Sequence, residues 1–186
     1  MKIKILFLGL FILLLGCSLK VNQINPKPNL FIKKSSKTIA IVFDTSIKNN
    51  FTIPPQNGIE KIKVKKWKDS LTRGFKNGFS IFYKIVDDPT KSDLILLLKG
   101  TDIFFEPDPN EYNSDLFFEN DLVLSIIPKI KFSAVLLNKQ RKPLKTINET
   151  AIAKNPITGE FQTSKGVKSA VESMYEKIAK KLFQGQ

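Results

Sequence analysis

Residues 93–105 read DLILLLKGTDIFF, and this stretch decides the fold. It is long and strongly apolar, and it is set up as a strand bent or bulged around Gly100, because a glycine inside a strand marks a bulge or a close approach. Upstream, Thr38-Ile39-Ala40-Ile41-Val42-Phe43 is short, apolar and β-branched and stops at Asp44, as a buried strand does. Ser80 to Val86 reads as another strand, closed by Asp87-Asp88-Pro89. Between these strands lies Ile59 to Phe79, with apolar residues at 59, 62, 67, 71, 75 and 79 and lysines between them. This spacing predicts an amphipathic helix that frays at Gly74 and Gly78, after a loop over Asn49 to Gly58 with Pro54-Pro55. Downstream, residues 106–121 read as a loop or decorated hairpin, and Leu122 to Ile127 as a strand ended by Pro128. Lys129 to Leu137, a turn at Asn138 to Lys142, and Pro143 to Ala153 form a hairpin. Val167, Val171, Met174, Ile178 and Leu182 share one helical face, with Thr163 or Ser164 placed to cap it. The expected fold is an α/β (α+β) two-layer sandwich: a mixed or antiparallel sheet of about five strands with two main helices on one face.

The amino terminus carries a different message. Lys2 and Lys4 are followed by an uncharged apolar run from Ile5 to Leu15, which reads as a secretory signal. As a helix the run reaches only about 16 Å, half of a bilayer core about 30 Å thick, so it is too short to span. It ends Leu14-Leu15-Gly16-Cys17, which resembles the bacterial lipobox. The resemblance implies cleavage before Cys17, then a diacylglycerol on its sulfur and an acyl chain on its amine; no other cofactor is expected. Ser18 stands where an Asp would be the inner-membrane retention cue of many Gram-negative bacteria, so the outer membrane is favoured. Ser18 to Lys37, with Asn25-Pro26-Lys27-Pro28-Asn29, reads as an extended tether onto which Leu30, Phe31 and Ile32 could still dock. The expected organisation is a signal peptide over 1–16, lipidated cysteine and tether over 17–37, and one globular domain over 38–186.

Composition removes most chemistry. The 186 residues include no histidine and a single cysteine, Cys17. That excludes triads and dyads built on imidazole, zinc sites with a nitrogen ligand, and an internal disulfide. No Gly-x-Ser-x-Gly, phosphate loop or dinucleotide fingerprint occurs. The expectation is a protein that is not an enzyme. A chain of this length buries roughly two-thirds of its unfolded surface and needs no disulfide to fold.

Charge is uneven. The net +13 falls to +11 once Lys2 and Lys4 are removed with the signal. Thr101 to Pro128 has no Lys or Arg and carries −7, which leaves about +18 on the rest. Lys61, Lys63, Lys65, Lys66 and Lys68 around Trp67 are the densest basic patch and a candidate contact for an anionic surface. Nucleic acid is not expected for an exported, lipidated chain. At helical spacing Trp67 aligns with Leu71 and Phe75 and belongs to the core. In the acidic stretch, Glu106, Asp108, Glu111 and Tyr112 form a candidate partner-binding loop, with aromatic residues between the acids. Calcium-loop spacing is absent, so no metal is expected there. The loop could meet a partner or the protein's own basic body.

The order of these features resembles a class of small Gram-negative lipoproteins. TIAIVFD, KSDLILLLKGTDIFFEPDPNE, the hairpin KIKFSAVLLNKQRKPLKTINETA and the closing VKSAVESMYEKIAKKL are similar to the neuraminyllactose-binding haemagglutinin (HpaA-like) lipoproteins of epsilon-proteobacteria. The layout resembles YajG and LptE lipoproteins more loosely. The resemblance implies a lipid-anchored outer-membrane protein that binds a protein or glycan ligand, adhesin-like or sheath-associated. The alternative is a periplasm-facing lipoprotein that assists envelope assembly or stabilises a membrane complex. After Pro107-Asp108-Pro109 the haemagglutinin family has a basic stretch to which sialyl-glycan binding is attributed, whereas here Asn110 to Asp115 is acidic.

Overall fold

The structure, a computed structural model, describes residues 19–57, 59, 61–109, 125–158 and 162–184. Nine strands occur among them: β1 (Leu19–Val21), β2 (Thr38–Phe43), β3 (Phe51–Ile53), β4 (Ile62–Val64), β5 (Lys84–Ile85), β6 (Leu94–Pro107), β7 (Ser125–Asn138), β8 (Pro143–Ile152) and β9 (Ile157–Thr158). The two main helices are α1 (Trp67–Phe79) and α2 (Thr163–Ile178), the latter continued by a wider turn over Ala179–Phe183. The large sheet runs β5-β2-β6-β7-β8, with β9 on the β7 edge, and a small sheet runs β1-β4-β3. β2 pairs parallel with β5 and β6, while β6, β7 and β8 are antiparallel, so the large sheet is mixed. Two helices on open mixed sheets make the expected two-layer α+β sandwich.

The DLILLLKGTDIFF stretch works as its composition requires. Leu94, Leu96 and Leu98 are buried on one face, and so are Thr101, Ile103 and Phe105, although the parity changes between the two sets. The change is made by a bulge: Leu98 pairs with Ala134 and Gly100 with Ser133, leaving Lys99 as the extra residue. Without it a one-residue slip would turn the second apolar set to the other face. Opposite, β7 buries Ile126, Ile130, Phe132, Ala134 and Leu136 without a break in parity. α2 lays Val167, Ala170, Val171, Met174 and Ile178, all fully buried, into the core. α1 supplies Trp67, Leu71, Phe75 and Phe79 to the same core. Each large side chain removed from water contributes about 1.5–3 kcal/mol. Tyr175 joins the helices, its buried hydroxyl donating to the Leu71 carbonyl at 2.7 Å, and burial pushes that hydroxyl well above the ordinary tyrosine range.

Several expectations are corrected. The helix expected from Ile59 begins only at Trp67, because Ile62–Val64 is β4, and Phe51–Ile53, expected within a loop, is β3. Lys66 has a left-handed backbone, φ 55, and stands between strand and helix. The first turn of α1 is held by the preceding loop, with the Asn50 and Asn49 side-chain oxygens accepting from the Lys66 and Lys68 N–H groups. Second, β7 passes through Pro128. Its carbonyl accepts from the Ala153 N–H, so the ring nitrogen faces the side where β8 gives way to β9, and the missing donor costs the ladder little. Third, Gly74 and Gly78 lie within α1 and do not fray it. Fourth, α2 begins after Gln162 with no side-chain cap, and the Ser164 hydroxyl instead donates to the Lys20 carbonyl at 3.4 Å. Only Lys84–Ile85 of the Ser80–Val86 segment is strand. Asp88 does close it, accepting from the Thr90 N–H at 2.9 Å to cap a short 3₁₀ turn, Pro89–Lys91.

Candidate functional site

The stretch expected to be a flexible tether is part of the body. β1 pairs in parallel with β4, and Val21, Ile24, Pro26, Pro28 and Leu30 are buried at alternating or near-alternating positions. The spaced prolines do keep the chain extended, and it runs along the two helices. The Ile24 N–H donates to Ser70 Oγ at 3.1 Å, the Lys27 N–H to Glu172 Oε1 at 2.8 Å and the Asn29 N–H to Glu176 Oε1 at 3.3 Å. Asn77 donates to the Pro26 carbonyl at 2.7 Å. Gly74 and Gly78 are the floor of this track. A Cβ on Gly78 would stand 2.7 Å from Pro28 Cγ, and one on Gly74 would stand 2.8 Å from Tyr175 and 3.2 Å from Pro26. Of the three residues expected to dock at the end of the segment, Leu30 is buried and Ile32 partly so, while Phe31 is 76 % exposed.

This docking rearranges the basic patch. Lys61, Lys63 and Lys65 share the exposed face of β4, while Ile62 and Val64 between them are buried. Lys66 sits at the left-handed corner, and Lys68 is on α1 with its charge close to Asp44. The five lysines are thus not one fan on a helix; Lys63 is on β4, and Lys61 and Lys65 flank it in the same alternation. Lys20 of β1 joins these three because it is the direct register partner of Lys63, whose other neighbour is Thr52 of β3. The opposite face of the small sheet carries Val21, Ile53, Ile62 and Val64, all buried. Lys20 escaped the sequence reading, although the signal was present: Leu19-Lys20-Val21 and Ile62-Lys63-Val64 are the same apolar-Lys-Val triplet, and they pair in register.

Of the candidate partner-binding loop, Glu111 and Tyr112 lie outside the described residues, as do Cys17 and its flank Leu14, Leu15 and Gly16. Glu106 and Asp108 are described, and both are engaged with the body. Glu106 pairs with Lys129 across the β6–β7 ladder, and Asp108 is buried with its N–H donating to the Ser125 carbonyl at 2.9 Å. A cleft of about 490 Å³ opens where β6 leaves β2 at the bulge, lined by Ser46, Phe51, Lys99, Gly100 and Asp102 over Trp67. Trp67 is core, edge-on to Phe51, with its indole N–H donating to Thr101 Oγ1 at 2.9 Å. Asp44 is held below the ordinary carboxylate value of 3.8 by the N–H and hydroxyl of Ser46, with Lys99 and Lys68 adding to the effect. Among the described residues no group of three or more metal-ligating side chains occurs, and no helix is long and apolar enough to cross a membrane.

The chain matches no family model and no curated protein. Solved structures do resemble it. Protein XCC0632 from Xanthomonas campestris, of the DUF330 family, is 15% identical, with a TM-score of 0.53, and the match covers 86% of this chain and 92% of that one. That similarity is one of fold. A minor lipoprotein from Acinetobacter baumannii is 9% identical with a TM-score of 0.49, covering 77% of this chain and 90% of its own. A neuraminyllactose-binding haemagglutinin homologue from Helicobacter pylori is 13% identical with a TM-score of 0.41, covering 89% and 92%.

Proposed function

We propose that this chain is a lipid-anchored outer-membrane protein, acylated on Cys17, that works by binding and not by catalysis, with its domain held close against the bilayer. The observation that carries the reading is the docked amino-terminal segment. A free tether over 17–37 would let the domain wander about 70 Å from its lipid, since extended chain spans at most about 3.3–3.6 Å per residue. With β1 locked to β4 from Leu19 onward, the leash from Cys17 shrinks to two residues, about 7 Å. So short a leash suits a membrane-proximal partner in envelope assembly better than an adhesin that reaches outward. The two acyl attachments implied by the lipobox hold far more firmly than one chain. The missing histidine and the acyl role of the only cysteine support binding over chemistry.

Two measurements test this. Cys17→Ala should abolish lipid labelling and leave an uncleaved or mislocalised precursor; normal labelling of that variant would end the lipoprotein reading. Protease shaving of intact cells should spare the protein until the outer membrane is opened. Shaving from intact cells would instead favour the adhesin-like reading, and a glycan screen would follow.

A further inference from the structure

We infer that the exposed face of the β1-β4-β3 sheet is a docking surface for anionic phospholipid headgroups, in the leaflet that receives the acyl chains of Cys17. The inference rests on the acylation reading and adds an orientation to it. Lys20, Lys61, Lys63 and Lys65 stand on this one face, and Lys20 and Lys63 are directly opposed in register. Like charges so placed repel, because neighbouring strands lie only about 4.7–4.9 Å apart. Some lysines elsewhere have carboxylate partners, Lys129 with Glu106, Lys154 with Glu176 at 2.7 Å and Lys177 with Glu149 at 3.2 Å, and others stand exposed in solvent. On the small sheet no described carboxylate pairs with any of the four. A negatively charged surface laid against this face relieves that repulsion.

Position in the chain says where from. Lys20 is three residues after Cys17, so its backbone lies within about 10 Å of the acylated residue, comparable to the screening length at physiological salt. Acyl chains inserted at Cys17 bring this row to the headgroup plane, where anionic lipid attracts each lysine by about a fivefold gain in binding. A row of ammonium groups on a short leash is complementary in charge to an anionic surface.

The test is an amine-reactive footprint, read by mass spectrometry, on the full-length acylated protein reconstituted in phosphatidylcholine vesicles with or without phosphatidylglycerol. Lys20, Lys61, Lys63 and Lys65 should lose reactivity several-fold only when phosphatidylglycerol is present, while the exposed turn residues Lys139 and Lys142 stay reactive. Salt near 1 M, where screening falls to about 3 Å, should restore the reactivity. In the Lys61→Gln, Lys63→Gln, Lys65→Gln variant, folded by circular dichroism, Lys20 should lose its protection. Equal reactivity of the four lysines and the turn lysines on phosphatidylglycerol vesicles, with acyl chains found on the Cys17 peptide, would overturn the docking surface and leave the anchor standing. An unmodified Cys17 peptide would overturn the anchor and the orientation built on it. Protection by inorganic phosphate alone, without vesicles, would assign the face to a soluble anion and overturn its assignment to the bilayer.

Discussion

The two sheets share one apolar core but are held to it by different means. In the large sheet β6 runs antiparallel to β7 from Leu94 against Asn138 to Pro107 against Ile126, so most of each strand's cohesion is local to a pair. The small sheet has three strands of three residues each, drawn from three parts of the chain. Strands that short do not hold alone in water. This one is kept by Val21, Ile53, Ile62 and Val64 facing the core, and by the segment after β1, which is strapped to both helices through Ser70, Glu172 and Glu176. The large sheet is therefore the source of global stability, and the small sheet, carrying the lysine row, borrows its order from that body. Local opening should begin in the borrowed part.

The largest test is in the large sheet. Leu98→Ala empties a fully buried site beside the bulge and should cost about 2–5 kcal/mol in thermal or denaturant unfolding. A loss well below 1 kcal/mol would show that this sheet is not the main source of stability. Gly78→Ala strikes the strap instead. Its new methyl meets Pro28 and Leu30, and overpacking costs about 1–3 kcal/mol against about 1 kcal/mol gained in helix propensity. Hydrogen exchange should speed up at Ile24, Lys27 and Asn29 while β6 amides stay protected; acceleration in both would merge the two regions into one cooperative unit. Tyr175→Phe removes the hydroxyl that ties the helices and leaves the Leu71 carbonyl without it, a loss of about 1 kcal/mol by denaturant titration.

Acid separates the regions further. The Thr38 N–H, at 2.9 Å, and the Thr38 hydroxyl hold Asp93 below its ordinary value of 3.8, at the join of β2 and β6. A carboxyl lowered on folding gives stability that is full above 3.8 and is lost as pH falls through its lowered value. Asp93→Asn should therefore flatten the acid limb of the stability curve, and an unchanged limb would remove this contact from the large sheet's account. Smallest of all, Lys63→Thr relieves the charge opposed to Lys20 and should stabilise the free protein by a few tenths of a kcal/mol in the same unfolding assay.

Much of the large sheet was legible because its strands are long enough for their own apolar pattern to declare them. DLILLLKGTDIFF announced both its burial and its bulge, since apolar residues flank a Lys-Gly break. The face of α2 was readable from Val167 to Leu182 for the same reason. Lys61 to Lys68 misled because Ile62, Trp67 and Leu71 fit a helical stripe once the alternation of Ile62 and Val64 is overlooked, and only the left-handed Lys66 separates strand from helix. Asn25-Pro26-Lys27-Pro28-Asn29 correctly declared extended chain, but proline spacing says nothing about whether extended chain lies free or on a surface. Gly74 and Gly78, four apart, held the other half of that information, and they acquire meaning only once a second segment lies on them.

Taken by itself, then, the sequence determined the succession along the chain of the main strands of the large sheet and the closing helix, and carried the resemblance of Leu14-Leu15-Gly16-Cys17 to a lipobox, because each is written in contiguous residues. The tertiary structure alone decided that residues 19–30 belong to the body and that Lys20 stands beside Lys63, because three-residue strands carry too little pattern to name partners some forty residues away.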